Sequence, residues 1–213
     1  MADWKGEFEK HRNFCNSFYS IRISTLYTKP RFFNQFDWNW FGKLSSFILG
    51  LTFIFFQDKR KYPEFGFTTQ LNPNSLKPVT ITFLVLAFLA TISYFFDGFK
   101  GYDIETLLYQ ATMPGLEEEL WYRGIFLYFL NESFGKHWTV FGAKMGWGAL
   151  VTTLLFGLSH GLSLEKDMAI NFDLASVIST GIIGFVFVWA REKCGSIVPG
   201  ILGHNLFNFV QQF

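Results

Sequence analysis

The stretch Pro114–Leu130, PGLEEELWYRGIFLYFL, decides how this chain is read. It sets Glu117, Glu118, Glu119 and Arg123 at the head of a segment otherwise composed for a lipid bilayer. Ionised side chains in hydrocarbon are expensive, about 2.5–3.5 kcal/mol for an Asp at a helix centre on an insertion scale. Something elsewhere in the chain must offset that cost.

Outward from this stretch the sequence supplies apolar runs of bilayer length repeatedly, about 20 residues being needed for a helical crossing. Two precede it: WFGKLSSFILGLTFIFFQ, about 40 to 57, and VTITFLVLAFLATISYFF, about 79 to 96, which begins after Pro78. The charged stretch heads a third, about 115 to 131. Then come VFGAKMGWGALVTTLLFGLSH, about 140 to 160, LASVISTGIIGFVFVWA, about 174 to 190, and SIVPGILGHNLFNFVQQF, about 196 to 213. Between the second and third, DIETLLYQATM reads as a short surface helix. Trp38 and Trp40 at one end of the first run and the cluster DKRK at the other suit anchors at two interfaces. The pattern predicts an all-α, polytopic transmembrane helix bundle of about six spans, residues 38–213 forming one helical domain. Residues 1–37, a mixture of aromatics, Lys and Arg, read as an amphipathic segment in the interface. Small residues, Gly142 with Gly146 and Gly157 with Gly161, would let neighbouring helices approach closely.

Composition agrees. Of 213 residues half are hydrophobic, with 29 Phe, 7 Trp and 8 Tyr, a load that suits lipid-facing and packed helix surfaces. A formal net charge of +1 and a charged fraction of 16% point away from nucleic acid as a partner. Cys15 and Cys194 are far apart and lack metal-site spacing, so neither a disulfide framework nor a Cys-based zinc site is indicated. The opening MADWKGEFEKHRNFCNSFYS lacks an apolar core with a cleavage site and reads as retained on the mature chain. Lys and Arg fall almost evenly on the two sides; the basic character before Trp38 favours a cytoplasmic N-terminus.

Removing loop and interface charges leaves Glu117, Glu118, Glu119, Arg123, His160, His204, Asn205 and Asn208 in or at the ends of apolar runs. Ionisable residues at membrane depth mark functional sites by default. Antiparallel neighbours put the start of the third run and the end of the fourth at one face, which places Glu118 and His160 at similar depth, with His204 pointing toward them. His204 and Asn208 are four apart and share a helix face, as do Glu119 and Arg123, the latter in the favoured acid-before-base order for an ion pair. Glu118 is then left without an obvious local cation. A carboxylate in a partly desolvated cavity beside two imidazoles can take a proton from water, while His204 and Asn208 can donate to a developing oxyanion. Plainer readings exist for each: a structural pair for Glu119–Arg123, an interfacial residue for His160, interhelical glue for His204 and Asn208, and a first-turn acid for Glu117.

Three motifs in order resemble those of the CPBP (Abi) family of intramembrane proteases, which includes the eukaryotic CaaX-processing endoprotease. Glu118, Glu119 and Arg123 match Glu-Glu-x-x-x-Arg in EELWYR; Phe156 and His160 match Phe-x-x-x-His in FGLSH; His204 and Asn208 match His-x-x-x-Asn in HNLFN. The resemblance spans about residues 110–213 and implies a membrane-embedded peptide hydrolase of up to about eight helices. It implies Glu118 as general base with His160 assisting, His204 and Asn208 as catalytic groups at the oxyanion, and Glu119 and Arg123 as support. Members are labelled metalloproteases, and Glu118, His160 and His204 would be the candidate ligands of a single divalent metal such as zinc; no His-Glu-x-x-His helix is present, and a metal-free mechanism is the favoured expectation. The implied partners are membrane lipid and a membrane-associated, prenylated or otherwise hydrophobic peptide, and the implied location is a bacterial-type plasma membrane.

Two other classes compete. A non-catalytic adaptor or bacteriocin-immunity protein would bind a peptide in the same cavity, and a small transporter would use the Glu and His residues as a proton relay. The absence of repeat halves counts against transport.

Overall fold

A computed structural model describes residues 36–97, 103–164 and 169–212. The expected interfacial segment 1–37 lies almost entirely outside them. The described chain is mostly helical. Helix α1 spans Trp40–Phe55 and α2 Leu76–Asp97, joined by a loop containing a single 3-10 turn, Lys59–Lys61. The short α3, Ile104–Gln110, is the surface helix anticipated from DIETLLYQATM. A continuous rod follows: α4, Met113–Glu118, then a π-helical segment, Glu119–Phe126, then α5, Leu127–Phe134. Helices α6, Trp147–Gly161, α7, Leu174–Cys194, and α8, Val198–Val210, complete the bundle.

The structure corrects the sequence reading in two places. The run expected to be helical over about 140–160 starts instead as a hairpin, β1 (Trp138–Val140) paired antiparallel with β2 (Ala143–Met145), and only then becomes α6. Phe141 (φ 46°) and Gly142 (φ 77°) make its two-residue turn. Positive φ at both positions matches the twist of paired strands. Gly142 and Gly146 therefore shape a turn and a helix entrance, not a helix–helix seam. A second hairpin, β3 (Leu162–Leu164) with β4 (Ile170–Phe172), connects α6 to α7, so the expectation of helices alone gains two small sheets.

Gly157 and Gly161 do what was expected of them. A Cβ on Gly157 would lie 2.6 Å from the Val177 carbonyl, and one on Gly161 would collide with Asp173 and Val177. Their absence lets α6 and α7 form the most extensive helix pair among the described residues.

Two apolar clusters hold the bundle. One gathers Val79 and Phe83 of α2, Leu127 of α5, Met145, Ala149 and the α7 residues Phe187 and Val188. The other seats Phe65, from the α1–α2 loop, against Ile54, Leu120 and Tyr128, with the Phe65 and Tyr128 rings 4.1 Å apart. Burying each such side chain contributes roughly 1.5–3 kcal/mol. The outer faces are apolar as well: Ile81, Leu84, Val85 and Phe88 of α2 and Leu174, Ile178 and Ile182 of α7 are all exposed at helical spacing. Among the described residues one helix, Leu174–Cys194, is long and apolar enough to cross a membrane, and Trp40–Phe55 and Leu76–Ile92 are apolar but shorter.

Candidate active site

Three consecutive acids at the junction of α4 and the π segment look in different directions. Glu117 faces α1, where its two oxygens accept from Lys43 Nζ (2.6 Å) and Ser46 Oγ (2.7 Å). Glu118 gives Oε1 to the same Lys43 ammonium, also at 2.6 Å. Its Oε2 lies 3.8 Å from Nε2 of His160, on α6, and 3.8 Å from Nε2 of His204, on α8. Glu119 points to the interior, with Oε1 3.2 Å from Arg123 Nη1 and 2.9 Å from His204 Nδ1. The π segment, whose turn is wider than that of an α-helix, begins at this triplet, and such bulges recur at functional sites.

The partners fix the orientation of both imidazoles. His160 Nδ1 meets the Phe156 carbonyl at 2.8 Å, so that nitrogen carries the proton and Nε2 is left to face Glu118. His204 Nδ1 meets the Glu119 carboxylate, which likewise turns its Nε2 toward Glu118. The His204 ring stacks on Phe187, centroids 4.8 Å apart at 19°. Two ring nitrogens thus converge on one carboxylate oxygen, each beyond direct hydrogen-bonding distance.

Arg123 carries the last position of the first motif into the core. It is fully buried, donates from Nη2 to the Gly184 carbonyl at 3.1 Å and lies 4.1 Å above the Phe156 ring. Phe156 therefore has two tasks, covering the guanidinium with its ring and accepting from His160 with its carbonyl. Arg123 and Glu119 offset each other where neither could be buried alone, which resolves part of the cost raised by PGLEEELWYRGIFLYFL. Lys43 resolves more of it, one ammonium meeting both Glu117 and Glu118.

Lys43 is the residue that sequence reasoning missed. Glu118 does have a cation, but it comes from 75 positions away in the chain and is 7% exposed. The signal was present, since Lys43 sits inside an apolar run, yet a Lys within a turn of a span end reads as an interfacial anchor. Its position is set locally. Asn39 caps α1 by accepting from Gly42 N, and Glu105 of α3 accepts from Trp38 N and Trp40 Nε1. Trp38 stacks on Tyr109 at 4.8 Å and Trp40 meets the same ring edge-on. Burial pushes the Tyr109 phenol well above its ordinary value; Glu117 and Glu118 push the same way, and Lys43 opposes.

The remaining polar residues divide. Asn205 accepts from Gly115 N at 2.8 Å and so satisfies an orphan donor in the first turn of α4, a structural duty. Asn208 is half-buried one turn beyond His204, and its carbonyl accepts from Gln212 Nε2. Among the described residues no three His, Cys, Asp or Glu side chains are disposed to hold a metal ion together.

Residues 101–210 match a family model described as Type II CAAX prenyl endopeptidase Rce1-like. That range is about half of the chain and contains all three motifs. The class so defined is that of membrane-associated endopeptidases that process CaaX sequences. The chain belongs to the Rce1-like family of type II CAAX prenyl endopeptidases. No curated protein and no solved structure matches it significantly.

Proposed function

We propose that this protein is a multi-pass intramembrane endopeptidase that hydrolyses a peptide bond near the C-terminus of a membrane-associated, prenylated substrate, with Glu118 as general base. The observation that carries the reading is the convergence of His160 Nε2 and His204 Nε2 on Glu118 Oε2, each at 3.8 Å, in a site where Glu118 is 4% exposed. Such spacing suits a water held between the three groups. Glu118 takes a proton from that water, and the water oxygen adds to the scissile carbonyl carbon. His160 orients the water. His204, oriented by the Glu119 carboxylate at Nδ1, presents Nε2 to the oxyanion. Asn208, on the same face of α8, is the second donor. As the C–N bond breaks, the proton held by Glu118 passes to the leaving amine.

Glu119 and Arg123 support the geometry by locking His204 and the π segment. The mechanism is metal-free in this reading, supported by the Lys43 ammonium on Glu118 Oε1, a position where a second cation would be repelled. The multi-pass reading draws on the apolar outer faces of α1, α2, α6 and α7. The His160 side chain, 25% exposed, marks the open side of the site where substrate would enter.

The test is reconstitution in liposomes with a farnesylated CaaX peptide and its unprenylated twin, products identified by mass spectrometry with and without a chelator. Release of the C-terminal tripeptide from the prenylated peptide, undiminished by chelation, supports the reading. Intact peptides with a folded protein would sink it and return attention to a peptide-binding adaptor.

A further inference from the structure

We propose that Lys43 is a positioning residue for this hydrolysis: its ammonium, held by Glu117, which Ser46 holds in turn, grips Glu118 Oε1 and thereby aims Oε2 at the two imidazoles. The inference rests on the reading of Glu118 as base and goes beyond it, because Lys43 lies outside all three motifs and outside the family match, residues 101–210.

The geometry is that of a clamp. A carboxylate has two oxygens and rotates about its terminal bond with little preference. The 2.6 Å contact to Lys43 Nζ removes one oxygen from the choice. Lys43 must in turn be held, since a long aliphatic stem carries about 2 kcal/mol of rotamer entropy. Glu117 Oε2 supplies a second 2.6 Å contact to the same ammonium, and Ser46 Oγ holds the other Glu117 oxygen at 2.7 Å, one helical turn beyond Lys43 on α1. Trp121 Nε1 donates to the Ser46 carbonyl at 3.1 Å, tying α1 to the π segment at the same level. The first helix is thus tied to the rod by four polar contacts, one of them to the reacting carboxylate. The arrangement also explains why three acids, not two, head the rod: Glu117 holds Lys43, Glu118 reacts, and Glu119 holds His204.

Misplacing a reacting group by about 1 Å costs on the order of 10²-fold in rate. Lys43→Met, which keeps the stem and removes the charge, is therefore expected to lower kcat on the farnesylated CaaX peptide by about 10²-fold while KM stays within about twofold. Lys43→Arg, which can still grip a carboxylate, is expected to recover most of the loss. A residue that merely filled space would respond alike to Met and Arg. If Lys43→Met does not fold, Glu117→Gln reads the same clamp, with an expected kcat loss of about tenfold from a loosened ammonium.

The outcomes separate the two claims. Glu118→Gln inactive, Lys43→Met slow in kcat and Lys43→Arg rescued supports the clamp. Unchanged kcat in folded Lys43→Met, or in Glu117→Gln where Met fails, overturns the clamp while leaving Glu118 as base. An active Glu118→Gln overturns the reading beneath it. A loss in Lys43→Met that appears only in KM overturns the clamp and reassigns Lys43 to substrate binding.

Discussion

The two ends of the Met113–Phe134 rod both bury charge, and they bury it differently. At one end Glu118 is flanked by Lys43, His160 and His204; at the other, about 20 Å away by helical rise, Asn131 and Lys136 meet Glu192 of α7. At the far end both oxygens of Glu192 are satisfied. One Glu192 oxygen accepts from Asn131 Nδ2 at 2.7 Å, the other from Lys136 Nζ, and the neighbouring Arg191 donates to the Glu64 carbonyl at 2.7 Å. At the near end the Lys43 contacts close in the same way and Glu119 Oε1 meets both Arg123 and His204, but the two contacts of Glu118 Oε2 to imidazole stop at 3.8 Å. A closed network holds helices together. In the proposed mechanism, the open arrangement of one carboxylate and two imidazoles is where water is activated. The cavity of ≈ 440 Å³ beside the far network, lined among others by Glu64, Tyr128, Lys136 and Arg191, lacks such a convergence.

The comparison breaks most readily at its closed part near the site. Removing one member of a fully buried pair leaves its partner's charge uncompensated, so Glu119→Ala should destabilise the protein by about 3–5 kcal/mol and abolish activity together. Thermal unfolding in detergent checks this, and an unchanged midpoint would show that Arg123 finds another partner. A smaller loss is expected at the far end. Glu192→Ala orphans Asn131 and half-exposed Lys136, costing about 1–3 kcal/mol, with kcat per folded molecule unchanged; a kcat loss would mean the two ends are coupled. Gly157→Ala should cost about 1–3 kcal/mol by forcing α6 from the Val177 carbonyl, and through α6 it should displace His160 and lower activity in step. Arg60→Ala, which breaks only the exposed pair with Asp58, should leave both midpoint and kcat where they were.

What was legible in the sequence follows the same division. Glu119–Arg123 could be read because four residues on one helix place two side chains together. His160 and His204 could be placed near Glu118 because consecutive spans run antiparallel, which fixes depth without any knowledge of packing. Lys43 could not, because its contacts lie 74 and 75 positions away and a basic residue near a span end has an ordinary explanation. The pairing of His204 with Glu119 was also missed, since Arg123 already satisfied that acid on paper. The β1–β2 hairpin was hidden by Phe141, a bulky residue in a left-handed conformation where turn sequences usually place Asn or Gly. VFGAKMG is apolar and Gly-rich, a pattern shared by a packed helix and a tight hairpin.

The most direct measurement sets the two ends side by side: kcat on the farnesylated CaaX peptide and the unfolding midpoint for Glu118→Gln and Glu192→Gln in the same liposomes and detergent. Glu118→Gln is expected to lose about 10²–10⁴-fold in kcat per folded molecule, while Glu192→Gln loses stability and keeps its kcat. Full activity in a folded Glu118→Gln protein would contradict the role of Glu118 as base.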